Sequence, residues 1–364
     1  MEIKISRADV FEKFIIRKFY APKLKHKTNF FRLLALAQKA WLGIRDSLIS
    51  IKKSETNKGL ILIIEDLIEQ LTQWSKLSQS MENHMYFFKE DEIALVQSAE
   101  TMGNLPEVLQ EVANELENTE KINQKIKKAA TYPAILVVFS VVAVTILLIY
   151  VIPTIVGMFP SPESLPSITK FMLSASSFLK HTWYLLILIV FWIIAAYNFL
   201  YKHTLGFKIA IDKLMIVIPA ISGVTKTFYM YRFTRLLGQL YGAGINPILA
   251  LKLIWDSFTN FFYKKKVIEI KSNLKAWFSF AESMEWSNLF DPILIQIIHV
   301  GEETGNIGEV TKKMSEFYRD LLQNKIDILM NLLEPILMSI IAVVIWIIVG
   351  SIFLPMADLV NVIK

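Results

Sequence analysis

The chain contains no cysteine among its 364 residues. This absence excludes disulfides, thiolate metal sites and a cysteine nucleophile. The five histidines are widely separated and form no H-E-x-x-H motif, so we expect no zinc site. No G-x-x-x-x-G-K-[ST] loop is present, so we expect no ATP hydrolysis by a P-loop mechanism. We therefore predict no cofactor, no bound metal and no catalytic residue, and a protein that is not an enzyme.

Charge is missing from three long stretches, which raise the mean hydropathy to +0.43. They are residues 134–157, 183–201 and 336–355. Each can cross a bilayer core of about 30 Å at about 1.5 Å per helical residue. A buried helix is the alternative for any one stretch, but three uncharged stretches are difficult to bury in a soluble fold. The N-terminal residues 1–27 have no apolar run of signal-peptide length, so the first span is expected to direct insertion.

Basic residues before the first span and after the second predict the orientation by the positive-inside rule. We expect a bacterial inner-membrane protein with a cytoplasmic N-terminus and a periplasmic C-terminus. The predicted segments are a cytoplasmic domain (1–130), transmembrane helix 1 (134–157), an irregular periplasmic loop (158–182), transmembrane helix 2 (183–201), a second cytoplasmic domain (202–334), transmembrane helix 3 (336–355) and a periplasmic tail (356–364).

The net charge of +6 is unevenly distributed. Residues 1–58 carry 14 Lys/Arg against 5 Asp/Glu, whereas residues 59–120 carry 2 against 13. The basic segment can be attracted to anionic membrane lipid, at about 1 kcal/mol per basic residue. The two regions can instead select protein partners by complementary charge. Nucleic acid is not an expected partner, because no known binding motif accompanies the charge.

The sequence repeats itself. Residues 99–108 match residues 301–310 at an offset of 202, which also places Pro133 on Pro335 and Pro153 on Pro355. Upstream, Arg32-Leu33-Leu34 resembles residues 235–237 at an offset of 203, and Leu42-Gly43-Ile44 resembles residues 243–245 at an offset of 201. We predict two homologous cytoplasmic domains, each followed by a spanning helix.

Apolar residues follow a helical period in both copies, and no alternating strand pattern is present. The predicted fold is an all-α integral membrane protein with two homologous cytoplasmic helical bundles and three transmembrane helices. The pairs Gly103-Asn104 and Gly305-Asn306 predict a helix C-cap and a turn. The prolines at 133 and 335 are expected at the start of the spans, and Pro153 and Pro355 near their outer ends.

The repeated motif supplies the candidate functional residues. They are Glu100, Gly103, Asn104, Glu107, Gly244, Gly301, Glu302, Glu303, Gly305, Asn306 and Glu309. The glutamates can cap the helix that follows the motif. They can also contact a partner, or hold a divalent cation between carboxylates.

The paired Gly-Glu-x-x-Gly-Asn-Ile/Leu motif, the Pro-Ile-Leu entry to a span, the Leu-Pro exit and the Ala-Gly-Ile-Asn-Pro turn at 243–247 resemble the type II secretion system protein F family. That family includes the inner-membrane platform proteins of type IV pili. The resemblance extends from about residue 28 to the end and is strongest over 225–364. The first copy departs from the motif at Ala99 and Met102 and lacks the proline of the 243–247 turn.

The resemblance implies a platform that couples a cytoplasmic hexameric ATPase to the polymerisation of pilin or pseudopilin. Other inner-membrane assembly proteins, membrane lipid and further copies of the chain would be its partners. A transporter or channel subunit is the main alternative, but the three spans contain no ionisable residue. A membrane sensor is a third possibility, for which the outer loop of about 25 residues is small.

Overall fold

The computed structural model describes residues 22–157, 166–287 and 290–362, and these residues are helical with no strand. The all-α prediction is therefore confirmed for the described chain. The N-terminal residues 1–21, most of the prolines of the predicted outer loop and the last two residues of the predicted tail lie outside it. The chain divides into two compact units, the first made of Met1–Gln124 and Gly223–Gln323 and the second of Lys125–Ser222 and Asn324–Lys364.

The first unit contains two copies of a six-helix arrangement. The first copy consists of α1 (Leu24–Lys39), α2 (Ile44–Ser54), α3 (Lys58–Thr72), α4 (Leu77–Glu82), α5 (Glu90–Met102) and the start of α6 (Leu105–Ile146). The second copy consists of α10 (Pro219–Gly242), α11 (Pro247–Ser257), α12 (Phe261–Lys275), α13 (Phe280–Ser287), α14 (Pro292–Glu303) and the start of α15 (Ile307–Val362). Within each copy, consecutive short helices pack against one another.

Helix boundaries give the register between the copies more accurately than the sequence motifs did. Asn57 and Asn260 are both N-caps whose side-chain oxygens accept backbone N–H groups, and they lie 203 positions apart. Helices α4 and α13 also begin 203 positions apart, whereas α5 and α14 begin 202 apart. One residue has therefore been lost or gained between the start of α4 and the start of α5, whereas α2 and α3 match α11 and α12 in length.

This register corrects one sequence alignment. The backbone N–H of Leu42 donates to the Ala37 carbonyl, and the N–H of Ile245 donates to the Leu240 carbonyl, each at the end of its helix. Leu42 is therefore equivalent to Ile245, at an offset of 203. The predicted offset of 201 for Leu42-Gly43-Ile44 was wrong. The Leu-Gly-Ile triplet of the first copy and the Ala-Gly-Ile triplet of the second lie in the same turn, but at positions that differ by two residues.

Each copy has an aromatic core at equivalent positions. In the first copy the rings of Phe30 and Phe88 lie 5.8 Å apart, and in the second copy those of Phe233 and Phe290 lie 4.7 Å apart. All four are buried. Burial of large apolar side chains is the dominant favourable term in folding, so this cluster positions α1 against the α5 segment, and α10 against the α14 segment.

The second unit contains the apolar parts of the long helices together with α7 (Ile152–Val156), α8 (Ser167–His203) and α9 (Leu205–Val217). Residues 147–151 form a π-helical turn between α6 and α7. Among the described residues, Leu105–Thr154 and Ile307–Leu354 are long and apolar enough to cross a membrane, and their most apolar windows are 11% buried. The predicted second span lies within α8, where several side chains are outside the described set.

One expectation about these helices was wrong, and the role of the prolines in delimiting the spans stays a prediction. Residues 167–181 of the predicted loop are helical rather than irregular, and Thr182 is a non-helical residue inside α8. Pro133 lies inside α6 and Pro335 inside α15, so neither begins a helix. Pro355 also lies within α15, whereas Pro153 follows the π-helical turn as the second residue of α7. A continuous helix therefore joins each bundle to its apolar run.

Candidate functional site

The repeated glutamates Glu100 and Glu302 cap helices. The Glu100 carboxylate accepts the backbone N–H of Leu77 at 2.7 Å and the Ser78 hydroxyl at 2.5 Å. The Glu302 carboxylate accepts the backbone N–H of Phe280 at 2.8 Å. Charge-assisted bonds of this kind satisfy donors that a helix N-terminus leaves without partners. Capping was predicted, but for the following helix; the capped helices are α4 and α13, which come earlier in the chain.

The glycines of the motif end the preceding helices. Gly103 and Gly305 have φ angles of +78° and +68°, and the N–H of the asparagine after each donates to a carbonyl five residues back. This is the helix C-cap and turn that the sequence predicts. Gly301 is buried where an added Cβ would lie 2.4 Å from a methyl group of Val310. Close packing between α14 and α15 therefore accounts for glycine at this position.

Most of the other motif residues lie at the surface. Glu303 is exposed and 3.4 Å from the His299 ring, and Glu309 pairs with Lys313 at 2.8 Å. The amide of Asn306 donates to Glu309 at 2.7 Å, and both neighbours hold the pKa of that carboxyl below its usual range. The Asn104 side-chain oxygen is buried and lacks a hydrogen-bond partner, and Glu107 is exposed in the first turn of α6.

The structure therefore does not bring the motif glutamates together. Among the described residues, no group of three or more His, Asp or Glu side chains is arranged to hold a metal ion. Two of the glutamates cap helices, and the exposed ones point to solvent or to a neighbouring basic side chain. The arrangement favours the structural role for Glu100 and Glu302.

A buried ion pair joins the two copies, and it was not among the residues predicted from the sequence. Glu115 on α6 lies 2.9 Å from the Arg235 guanidinium on α10, and the Tyr231 hydroxyl donates to the same carboxylate at 3.0 Å. Both partners of the ion pair are nearly inaccessible, with side chains 11% and 14% exposed. Burial raises the pKa of Glu115 and opposes the effect of Arg235, and burial beside Glu115 raises the pKa of Tyr231. Arg235 was noticed only as part of the Arg-Leu-Leu repeat.

Further contacts extend this junction. The Lys312 ammonium lies 2.8 Å from Glu111 of α6, and the Ser98 hydroxyl donates to the Ala243 carbonyl. Beside the Lys312–Glu111 pair lies a cleft of about 630 Å³. Charged side chains of both signs line it, including Glu107, Glu111, Lys312 and Arg319. The two copies thus pack through a polar contact.

Gly244 and Met102 meet in the same contact. Gly244 has a φ angle of +66°, and a Cβ added there would lie 2.1 Å from the Met102 methyl. The departure of Met102 from the repeated motif, where the second copy has Thr304, is thus a feature of the contact between copies. Ala99, the other departure, is fully buried.

Comparison with known proteins gives consistent results. The family model described as "Type II secretion system (T2SS), protein F" matches residues 30–153 and again 233–355. The chain is 27% identical over 335 residues to the type IV pilus assembly protein PilC of Pseudomonas aeruginosa, covering 92% of this chain and 90% of that one. It is 25% identical over 331 residues to the type II secretion system protein F of Vibrio cholerae, covering 91% and 81%.

A third relative is the type IV pilus assembly protein PilC of Thermus thermophilus, 25% identical and covering 93% of this chain and 84% of that one. The two family matches each include one helical bundle and the apolar run that follows it, so the repeat and the family agree on the unit. The chain belongs to the type II secretion system protein F family.

Proposed function

We propose that this chain is an inner-membrane platform protein of a type IV pilus or type II secretion machine. The carrying observation is that the family match occurs twice, over both copies of the unit, in a chain whose relatives are named for pilus assembly and for type II secretion. Such a platform couples a cytoplasmic assembly ATPase to the polymerisation of pilin or pseudopilin. The chain itself is not an enzyme in this proposal, and other inner-membrane assembly proteins, lipid and further copies of the chain are its partners.

The fold supports this role in two ways. Each bundle continues without a break into an apolar helix, since α6 and α15 carry both. The two bundles also pack into one compact unit through the Glu115–Arg235 pair. A partner that moves this unit would act on both apolar helices through continuous backbone.

The proposed topology places both bundles in the cytoplasm, three spans in the membrane and the C-terminus in the periplasm. The absence of cysteine makes this directly testable, because any introduced cysteine is the only thiol. Ser161→Cys in the predicted outer loop should react with a membrane-impermeant maleimide added to intact spheroplasts. Ser75→Cys in the first bundle should react only after lysis. Labelling of Ser75→Cys in intact spheroplasts would contradict the topology.

The function is tested by deletion of the gene in its native host. We expect loss of surface pili, or of secreted type II substrates, with restoration by the full-length chain. Affinity capture of that chain from native membranes should recover an assembly ATPase and a prepilin, identified by mass spectrometry. Normal pili and normal secretion after deletion would overturn the proposal.

A further inference from the structure

Each copy contributes a different face to the contact between them. The first copy uses α5 and α6, where Ser98 and Glu115 bind the second copy. Nearby Asp91 lines a small cavity together with Arg235 and Gln239. The second copy uses α10 and the turn after it for these bonds, while α15 contributes Lys312 and α11 packs against α5. Every residue in this contact has an equivalent in the other copy, so the same two faces exist a second time in the chain.

The second copy's equivalent of the α5–α6 face is apolar and exposed. Ile293, Val300 and Phe317 stand where the first copy has Asp91, Ser98 and Glu115. All three are at least half exposed, whereas Asp91 and Glu115 are buried. We name these three residues the α14–α15 face. A polar, covered face in one copy thus corresponds to an apolar, uncovered face in the other.

The first copy's equivalent of the α10 face has the same character. Gln239, Ala243 and Ile245 are buried in the second copy, but their equivalents Leu36, Ala40 and Leu42 are exposed. Trp41 stands where the second copy has Gly244 and is 96% exposed. We name the set Leu36, Ala40, Trp41 and Leu42 the α1 face. Exposed apolar residues grouped in this way mark interaction sites.

Trp41 supplies a large aromatic ring to the α1 face, with a backbone conformation that Trp74 and Trp277 share. Its φ angle is +60°, a left-handed conformation that is costly for a bulky side chain. The strain projects a large aromatic ring into solvent, where it gains nothing in the single chain. Tryptophan is the residue type most enriched among those that dominate binding energy at interfaces.

The two open faces are complementary in size. In the contact within the chain, the long Met102 meets Gly244, which has no side chain. The equivalent pair on the open faces is Thr304 and Trp41. Here the smaller residue is on the second copy and the larger one is on the first, the reverse of Met102 and Gly244. In the same arrangement Phe317 would face Arg32, the equivalent of Arg235, which is paired with Glu117 at one edge. An arginine over a phenylalanine ring is favourable.

We propose that the α14–α15 face of one chain binds the α1 face of a second copy of this chain, in the arrangement that joins the two copies within one chain. The inference deepens the homo-oligomer part of the proposed function. Each chain carries both faces, so the contact can repeat from chain to chain or close symmetrically. Because both faces are apolar, the contact should persist at high salt.

Cysteine cross-linking of the full-length protein tests this contact. Val300→Cys and Ala40→Cys, the equivalents of Ser98 and Ala243, are placed in two chains with different tags and treated with a short bismaleimide. We expect a cross-linked product that carries both tags, in native membranes and in the protein purified alone in detergent. A single chain with Ser98→Cys and Ala243→Cys is the positive control and should cross-link internally.

Trp74 provides a matched negative control, because it is also 96% exposed with a positive φ angle of +66°. Its equivalent Trp277 is just as exposed, so this position is outside the contact between copies. Val300→Cys with Trp74→Cys should give less than about a tenth of the product. Equal yields from the two pairs, or no product while the positive control reacts, would overturn the proposal. A product confined to one chain carrying both Val300→Cys and Ala40→Cys would also overturn it.

A second measurement uses the oligomer mass by light scattering at matched protein concentration. Trp41→Gly, which copies Gly244, should weaken self-association at least tenfold, and Trp74→Gly should leave it unchanged. Equal effects of the two substitutions would contradict the contact. Neither readout requires pili. If the chains cross-link but gene deletion causes no assembly defect, the proposed function is contradicted and the contact is not. An assembly defect without cross-linking would remove this contact alone.

Discussion

The two copies of the bundle differ most at one buried position pair. In the first copy, Lys27 and Glu92 form an ion pair in which both side chains are less than a tenth exposed, and Lys27 also donates to the Phe87 carbonyl at 2.6 Å. In the second copy the equivalent residues are Met230 and Leu294, both fully buried. Burial lowers the pKa of Lys27 and raises that of Glu92, so both charges are held at a cost. One backbone arrangement therefore accepts either an ion pair or an apolar pair.

The copies agree elsewhere in their interiors. The phenylalanines at the two aromatic cores, the asparagine N-caps and the glutamates that cap α4 and α13 are all retained. The copies also differ on the faces through which they meet, where Glu115 corresponds to Phe317 and Gly244 to Trp41. The comparison indicates that the six-helix arrangement depends on the aromatic core and the caps, whereas partner choice depends on the faces.

The largest effect is expected from breaking the ion pair of the first copy. Lys27→Met alone leaves the Glu92 carboxylate buried without its partner and should lower the free energy of unfolding by about 3–5 kcal/mol. The double variant Lys27→Met, Glu92→Leu reproduces the second copy and should remain within about 2 kcal/mol of the wild type. Denaturant unfolding of the detergent-solubilised chain measures both. A double variant as unstable as the single one would show that the first copy requires the charges.

The next effect concerns the ion pair between copies. Glu115→Gln removes the ion-pair partner of the largely buried Arg235 guanidinium, and should cost about 2–4 kcal/mol. The matched control is Glu117→Gln on the same helix, whose partner Arg32 is about a third exposed. That change should cost less than about 1 kcal/mol, because exposed pairs contribute little. Similar losses would mean that Glu115 is better solvated than its burial indicates.

The caps should contribute equally in the two copies. Glu100→Ala and Glu302→Ala each remove bonds to a helix N-terminus and should each cost about 1–2 kcal/mol. Glu303→Ala, beside Glu302 but exposed, should change stability by less than about 0.5 kcal/mol. Thermal unfolding separates the three variants. A larger loss of partner binding than of stability for Glu302→Ala would instead favour a contact role for that residue.

The smallest effect is expected at the exposed tryptophans. Trp277→Gly relieves a φ angle of +68° and should stabilise the chain by about 0.5–1 kcal/mol, after the greater freedom of unfolded glycine is included. Gly305→Ala is the reverse change at the same φ angle, with nothing near the added methyl. It should destabilise by about 1 kcal/mol. Effects of the same sign for both would show that backbone strain does not control these positions.

The sequence predicted the helical fold, the repeat and the family because each leaves a local signal. The apolar spacing and the Gly103-Asn104 turn, with its counterpart, can be recognised within a few residues. The matching prolines can be recognised once the two copies are aligned. The capping role of Glu302 was foreseen, but its helix was not, since the Phe280 N–H that it binds lies 22 residues earlier. Nothing near Glu302 in the sequence indicates that distance.

The contact between copies could not be predicted from either sequence segment alone. Glu115 and Arg235 are 116 or more positions from their partners across the contact, and each looks like an ordinary charge on a helix surface. A signal existed in the comparison of the copies: Glu115 is replaced by Phe317, and Met102 by Thr304. Substitutions that exchange polar for apolar, or large for small, at equivalent positions indicate faces with different neighbours.

The single change of register, from 203 to 202 between α4 and α5, has a practical consequence. Every helix and turn from α2 to the start of α4 has a counterpart of equal length in α11 to α13. The duplicated segments are therefore equal in length and can be exchanged without inserting or deleting a residue. A chimaera in which residues 44–76 are replaced by residues 247–279 would preserve all loop lengths, and would report which copy's surface a partner recognises without altering the backbone.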